Sequence, residues 1–131
     1  MAVNKSDTKA ADFSEILSAL KLCIKPHEKH LTVIYDNDKG YYLNAAYSEK
    51  YKRDIFFGAI EIKKNYVSYH LFPVYMFPVL LEDISPELKK RMQGKACFNF
   101  KSPDKKLFAE LKSLTKTGFQ TMKQNGFIAK K

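Results

Sequence analysis

Three histidines and two cysteines are the residues of this 131-residue chain with the most distinctive chemistry. His27 and His30 stand at i and i+3, a spacing that sets two imidazoles on one helical face where a metal can bridge them. No third ligand follows nearby and lysines flank the pair, so the segment reads as a solvated helix end with no metal. His70 follows Ser68, with Glu61 on the preceding apolar segment. A carboxylate beside an imidazole favours its charged form and equips it for proton transfer. The simpler reading is a polar residue on a half-exposed strand. Cys97 would need a base or a positive field to become a nucleophilic thiolate. Lys95 and Lys101 supply some field but no base lies near in sequence, so Cys97 reads as a buried structural thiol. The five glycines, Gly40, Gly58, Gly94, Gly118 and Gly126, are isolated. Neither G-x-x-x-x-G-K-[ST] nor G-x-G-x-x-G occurs, and a G-x-S-x-G elbow and an H-E-x-x-H helix are absent too. The sequence therefore assigns no catalytic residue and no cofactor, and ATP hydrolysis and dinucleotide redox chemistry are not expected.

Cys23 and Cys97 lie far apart without a C-x-x-C partner, which reads as reduced, buried thiols in a cytoplasmic protein rather than a disulfide framework. The first dozen residues are polar, and no apolar run approaches the ~20 residues that cross a bilayer, so neither secretion nor a membrane partner is expected. With 23 basic and 14 acidic residues the formal charge is +9, which brings anionic partners into view. Yet only Arg53 and Arg91 are arginines. Base readout and bidentate phosphate gripping favour the guanidinium over scattered lysines, and nucleic acid is disfavoured as a partner.

The length suits one domain, burying roughly two thirds of the surface of the unfolded chain. That domain is read over residues 12–131, after a tail at residues 1–11. Asp12 and Glu15 form a variant capping box, and Phe13, Ile16, Leu17, Leu20 and Ile24 recur at helical spacing, predicting a helix from Phe13 to Lys25. Pro26 either ends it or opens a short turn through His30. Leu31 to Asp36 and Tyr41 to Tyr47 read as a hairpin about Asn37-Asp38-Lys39-Gly40. Ile55 to Lys63 and Tyr66 to Phe72 make a second hairpin about Lys64-Asn65. Ser85-Pro86-Glu87 starts a short helix that Gly94 is expected to stop. Ala96 to Phe100 returns as a strand, and Ser102-Pro103-Asp104 repeats the start signal for a long helix striped by Leu107, Phe108, Leu111, Leu114, Phe119 and Met122. Gly126 permits a Schellman cap in which Phe127 folds back on Met122. Strands grouped between terminal helices predict an α+β two-layer sandwich, an antiparallel sheet of about five strands with the N- and C-terminal helices on one face.

The two-residue turn sets the register of the second hairpin. Ile62 opposes Val67, Ile60 opposes Tyr69 and Gly58 opposes Leu71 on an apolar face, while Lys63 with Tyr66, Glu61 with Ser68 and Ala59 with His70 form the other. Pro73 to Pro78 cannot continue a central strand. Its aromatic side chains either close over the exposed face as a lid or cap the edge of the core. Tyr66, Ser68, His70 and Glu61, with Tyr75 and Phe77 as the closing edge, are the candidate ligand-binding residues, since tyrosine combines a large apolar face with one polar tip. All eight tyrosines fall between Tyr35 and Tyr75.

From Gly40 onward the chain resembles the YdhG-like bacterial domains of unknown function. The residues that carry the likeness are Ile55-Phe56-Phe57-Gly58-Ala59, Val67-Ser68-Tyr69-His70-Leu71, Ser85-Pro86-Glu87-Leu88 and Gly94-Lys95-Ala96-Cys97-Phe98-Asn99-Phe100. The resemblance implies a frataxin-like architecture. One branch of that family is regarded as an intracellular iron chaperone for iron-sulfur cluster assembly, with frataxin-type iron binding by carboxylates along the first helix and first strand. Here those regions hold Asp12 and Glu15, then Asp36 and Asp38 at the turn. The expectation from the residues themselves is a small cytoplasmic binding module whose exposed sheet face engages a small molecule or a protein; iron handling is the alternative that the resemblance implies.

Overall fold

The computed structural model describes residues 5–128. Phe13, Ile16, Leu17, Leu20, Cys23 and Ile24 are all buried and seat one face of helix α1 (Lys5–Ile24) on the sheet. The helix begins well before the predicted start at Phe13, taking in most of the expected tail and placing the expected cap at Asp12 inside it. Ala10 and Ala11 have the strongest helix propensity, and a helix already nucleated by a packed stripe gains a hydrogen bond with each added residue. Residues 1–4 of the predicted tail lie outside the described residues. Pro26 opens a 3₁₀ turn over Lys25–His30.

Five strands follow as an antiparallel meander in sequence order: β1 (Thr32–Asn37), β2 (Gly40–Ser48), β3 (Arg53–Ile62), β4 (Val67–Leu71) and β5 (Cys97–Phe100). The first turn is held by the Asn37 side chain, whose Oδ1 accepts from the amides of Lys39 (2.8 Å) and Gly40 (3.1 Å). The β3–β4 register is the predicted one, with Ile62 opposite Val67, Ile60 opposite Tyr69, Gly58 opposite Leu71 and Ala59 opposite His70. On the core face Tyr41, Leu43, Phe57, Ile60, Tyr69, Leu71 and Phe98 are fully buried under α1 and α4 (Lys105–Gln124). Phe57 meets Phe119 edge-on and Phe100 meets Phe108 likewise. Polar groups deep in this layer are paired: the Tyr69 hydroxyl lies 2.5 Å from Thr115 Oγ1, and the Cys23 thiol donates to Phe108 O at 3.6 Å.

A bulge in β3 decides which aromatic goes where. Leu43 pairs with Gly58 but the next residue, Asn44, pairs with Phe56, so Phe57 is the extra residue. Two consecutive residues then face the core, and alternation resumes with Phe56 on the outer face.

Pro73 ends β4 as expected, and the chain turns into a short helix α2 (Phe72–Met76) and a 3₁₀ turn (Pro78–Leu81). Ser85 caps α3 (Pro86–Lys89), its Oγ accepting from Leu88 N at 3.1 Å. Gly94 does not stop this helix, which ends at Lys89. Arg91 to Gln93 instead pair with Cys97 to Asn99 across a small hairpin in which Gly94 sits at φ +83°. The predicted cap at Ser102 is also displaced. Asp104 caps α4 by accepting from Leu107 N at 3.0 Å, because its carboxylate serves both the orphan amide and the positive helix end. The C-terminal cap is the predicted Schellman motif: Gly126 has φ +82°, Phe127 N–H donates to Met122 O (2.9 Å) and Gly126 N–H to Lys123 O (3.2 Å).

Candidate functional site on the outer face of the sheet

The outer face carries two neighbouring features, a polar cluster and an aromatic cleft. Glu61, Ser68 and His70 converge as the register predicts. Ser68 Oγ lies 3.0 Å from His70 Nε2, and Glu61 Oε1 lies 3.6 Å from the same nitrogen and 3.3 Å from Lys63 Nζ. The Tyr35 hydroxyl donates to Glu61 Oε2 at 3.3 Å. Ser68 and Glu61 thus address one imidazole nitrogen, which is not the relay in which a carboxylate orients one nitrogen and the other serves a nucleophile. Ser68 is also buried, out of reach of a substrate. The Glu61 carboxylate was expected to favour the charged imidazole. His70 instead titrates below an ordinary histidine, because desolvation by burial outweighs the carboxylate and Lys63 opposes it.

Cys97 pairs with His70 across β4 and β5 and lies on this outer face, half-buried rather than buried. Its thiol donates to Asn99 Oδ1 at 3.3 Å, and burial pushes its pKa up. Cys23 is buried in the core, where burial raises its thiol to about 11. Neither is poised as a thiolate.

Beyond the small floor residue Ala59, which separates Tyr42 from His70 in the ladder, the face becomes aromatic. Tyr35, Tyr42, Phe56, Phe72 and Tyr75 form a chain of rings with successive centroids 5.6, 5.0, 5.9 and 5.5 Å apart. The last four of these line a cleft of about 660 Å³ together with Met76 and Ile55. Asn44, Arg53, Asp54 and Tyr51 supply its polar groups. The β2–β3 loop that presents Tyr51 is tightened by Lys52 N–H to Ser48 O (2.7 Å), with Lys52 at φ +55°. Behind it, the ring of Phe127 stacks on Tyr51 at 6.4 Å. The C-terminal cap of α4 therefore backs one wall of the cleft. The opposite wall is α2, pressed so closely on α4 that a Cβ on Gly118 would lie 2.8 Å from Pro73 Cβ.

The predicted site residues thus separate into groups. Tyr75 belongs to the cleft; Glu61, Ser68 and His70 lie beside it. Tyr66 lies at the far end of β4, in a second groove of about 470 Å³. Phe77 packs against the core, so the aromatic turn divides between lid and core edge. Tyr42, Phe56 and Phe72 escaped the sequence reading of the site because their convergence depends on the bulge and on where α2 docks.

The remaining candidates have structural partners. His27 stacks on Phe119 with ring centroids 4.5 Å apart, and His30 lies 5.7 Å from the same ring, so the histidine side of this segment rests on α4 while Lys25, Pro26 and Lys29 remain exposed. Asp36 faces α1, pairing with Lys21 (2.7 Å) and Lys25 (3.3 Å), while Glu28 pairs with Lys25 and accepts from the Tyr41 hydroxyl. Among the described residues no three His, Cys, Asp or Glu side chains are grouped to hold a metal ion, and no helix is long and apolar enough to cross a membrane. No protein-family model, curated protein or solved structure matches the chain.

Proposed function

We propose that this protein is a small binding module that holds a small molecule with a flat apolar body in the aromatic cleft of its outer sheet face. The observation that carries the reading is the cleft itself. Its volume, about 660 Å³, falls within the range of small-molecule sites. Five aromatic rings line it and a few polar groups stand beside them, the combination that gives such sites affinity and orientation. Arg53 would meet an anionic substituent and Asn44 a neutral polar one. The Glu61–His70 cluster beside the cleft would take part only with a ligand long enough to pass Ala59.

A thermal-shift screen of planar aromatic compounds, with and without a carboxylate, tests this directly. A ligand at a hundred times its Kd adds about 2.7 kcal/mol of stability by mass action, which moves the melting temperature by several degrees. Tyr75 is 54% exposed, so Tyr75→Ala should leave the free protein's melting temperature nearly unchanged while abolishing or weakening the shift. A set of compounds that stabilise wild type and Tyr75→Ala equally would remove the cleft from consideration.

A further inference from the structure

The chain's two arginines each line a different cavity, Arg53 the aromatic cleft and Arg91 the groove at the far end of β4. That second groove shares no lining residue with the first and has a different chemistry. Lys90, Arg91 and Lys101 bring three cations to it, and no carboxylate lines it. All three side chains are exposed, and among the described residues none forms an ion pair. The remaining lining includes one half-buried aromatic ring, Tyr66, and the amides Gln93 and Asn99.

The groove is built on a pinned backbone. Asn99 N–H donates to Arg91 O at 2.8 Å and Gln93 N–H to Cys97 O at 2.9 Å, so the segment carrying Arg91 and Gln93 is stitched to β5 as a further strand edge. Asn99 Nδ2 donates to Gln93 Oε1 at 2.9 Å, which couples the two amides. Cations take phosphate oxygens, a tyrosine ring stacks on the face of a base, and paired carboxamides address a base edge. A simple inorganic anion would use only the first of these.

We infer that this groove is a nucleotide-binding site, with Lys90, Arg91 and Lys101 on the phosphate, Tyr66 against the base and Gln93 with Asn99 at its edge. The same chemistry is offered by a free mononucleotide and by a nucleotide within a single strand. The size of the groove, about 470 Å³, suits the free mononucleotide.

Titration calorimetry with AMP, inorganic phosphate and a short single-stranded oligonucleotide, at low and at moderate salt, tests the assignment. AMP should bind saturably and more tightly than phosphate. Arg91→Gln should weaken it about tenfold, the loss expected for one charge-assisted hydrogen bond. Tyr66→Leu should weaken AMP while leaving phosphate unchanged. Arg91 is exposed, so its variant should keep the wild-type circular dichroism and melting temperature. Tyr75→Ala, in the other cavity, should bind AMP as wild type does. Absence of saturable AMP binding would overturn the inference, as would equal affinity for AMP and phosphate or full affinity in Arg91→Gln. An oligonucleotide bound far more tightly per site than AMP, with a steep salt dependence, would overturn the mononucleotide in favour of single-stranded nucleic acid.

Discussion

His70 shows how two opposed influences on one imidazole are resolved by burial. Its pKa is lowered chiefly by desolvation, and the same cause lowers His27 on the other side of the sheet. Asp36 and Glu28 are held below the ordinary carboxylate range, Asp36 chiefly by its hydrogen bond from Lys21 and Glu28 chiefly by that from Tyr41. All four shifts have the same sign for stability. The unfolded chain takes up protons at a higher pH than the folded protein, so each contribution is complete above the unfolded pKa and is lost as pH falls through the folded one. The melting temperature should therefore be level near neutrality and fall in two stages on acidification. The first begins below about pH 6.5, where unfolded histidines charge, and the second below about pH 4, where unfolded carboxylates protonate. His70→Gln should shrink the first stage. A melting temperature that stays level down to the carboxylate range would show that neither histidine is kept neutral by the fold.

Helix ends control more of this molecule than their length suggests. Gly126 sits at φ +82° with nothing within 4 Å of where a Cβ would be, so a larger residue there meets no clash and is penalised only by its backbone conformation. Gly126→Val should destabilise the protein by about 1–2 kcal/mol, since a β-branched residue is strained at positive φ. Urea denaturation checks the magnitude. The effect should extend beyond α4, because Phe127 stacks on Tyr51 and its carbonyl accepts from Ala46 N at 3.1 Å. Unchanged stability in this variant would mean that the Schellman cap does not form.

At the scale of the whole molecule, the described residues share one core. Buried residues from α1, every strand after β1, α2, α3, α4 and the final turn make a single apolar cluster, with Ile128 sealing its end. The two sheet edges are treated differently: β5 is covered by the Arg91–Gln93 segment, whereas β1 is open and presents Val33 and Ile34 to solvent. A single apolar cluster should unfold as one cooperative unit. Urea unfolding followed by tyrosine fluorescence and by far-ultraviolet circular dichroism should give superimposable curves. Separated midpoints would show that the helical layer and the sheet come apart independently.

What could be read from the residues was whatever depends on near neighbours. The two-residue Lys64-Asn65 turn dictated the whole β3–β4 register, the stripe from Leu107 to Met122 dictated the buried face of α4, and Ser85 and Gly126 marked a start and a stop by local capping chemistry. From these the α+β sandwich follows. Local signals misled where two of them competed within a few residues, as at Ser102 and Asp104, or where hairpin pairing with β5 replaced the helix before Gly94. The cleft was illegible for a related reason. Tyr42, Tyr51, Phe56, Phe72 and Tyr75 come from two strands, β2 and β3, the loop between them and α2, and they meet because a bulge turns Phe56 outward, Phe127 backs Tyr51 and Pro73 seats against Gly118. Concavity and desolvation are properties of surfaces assembled from remote segments, so only the tertiary structure decided where a ligand could lie and that burial would lower the pKa of His70 despite Glu61 beside it.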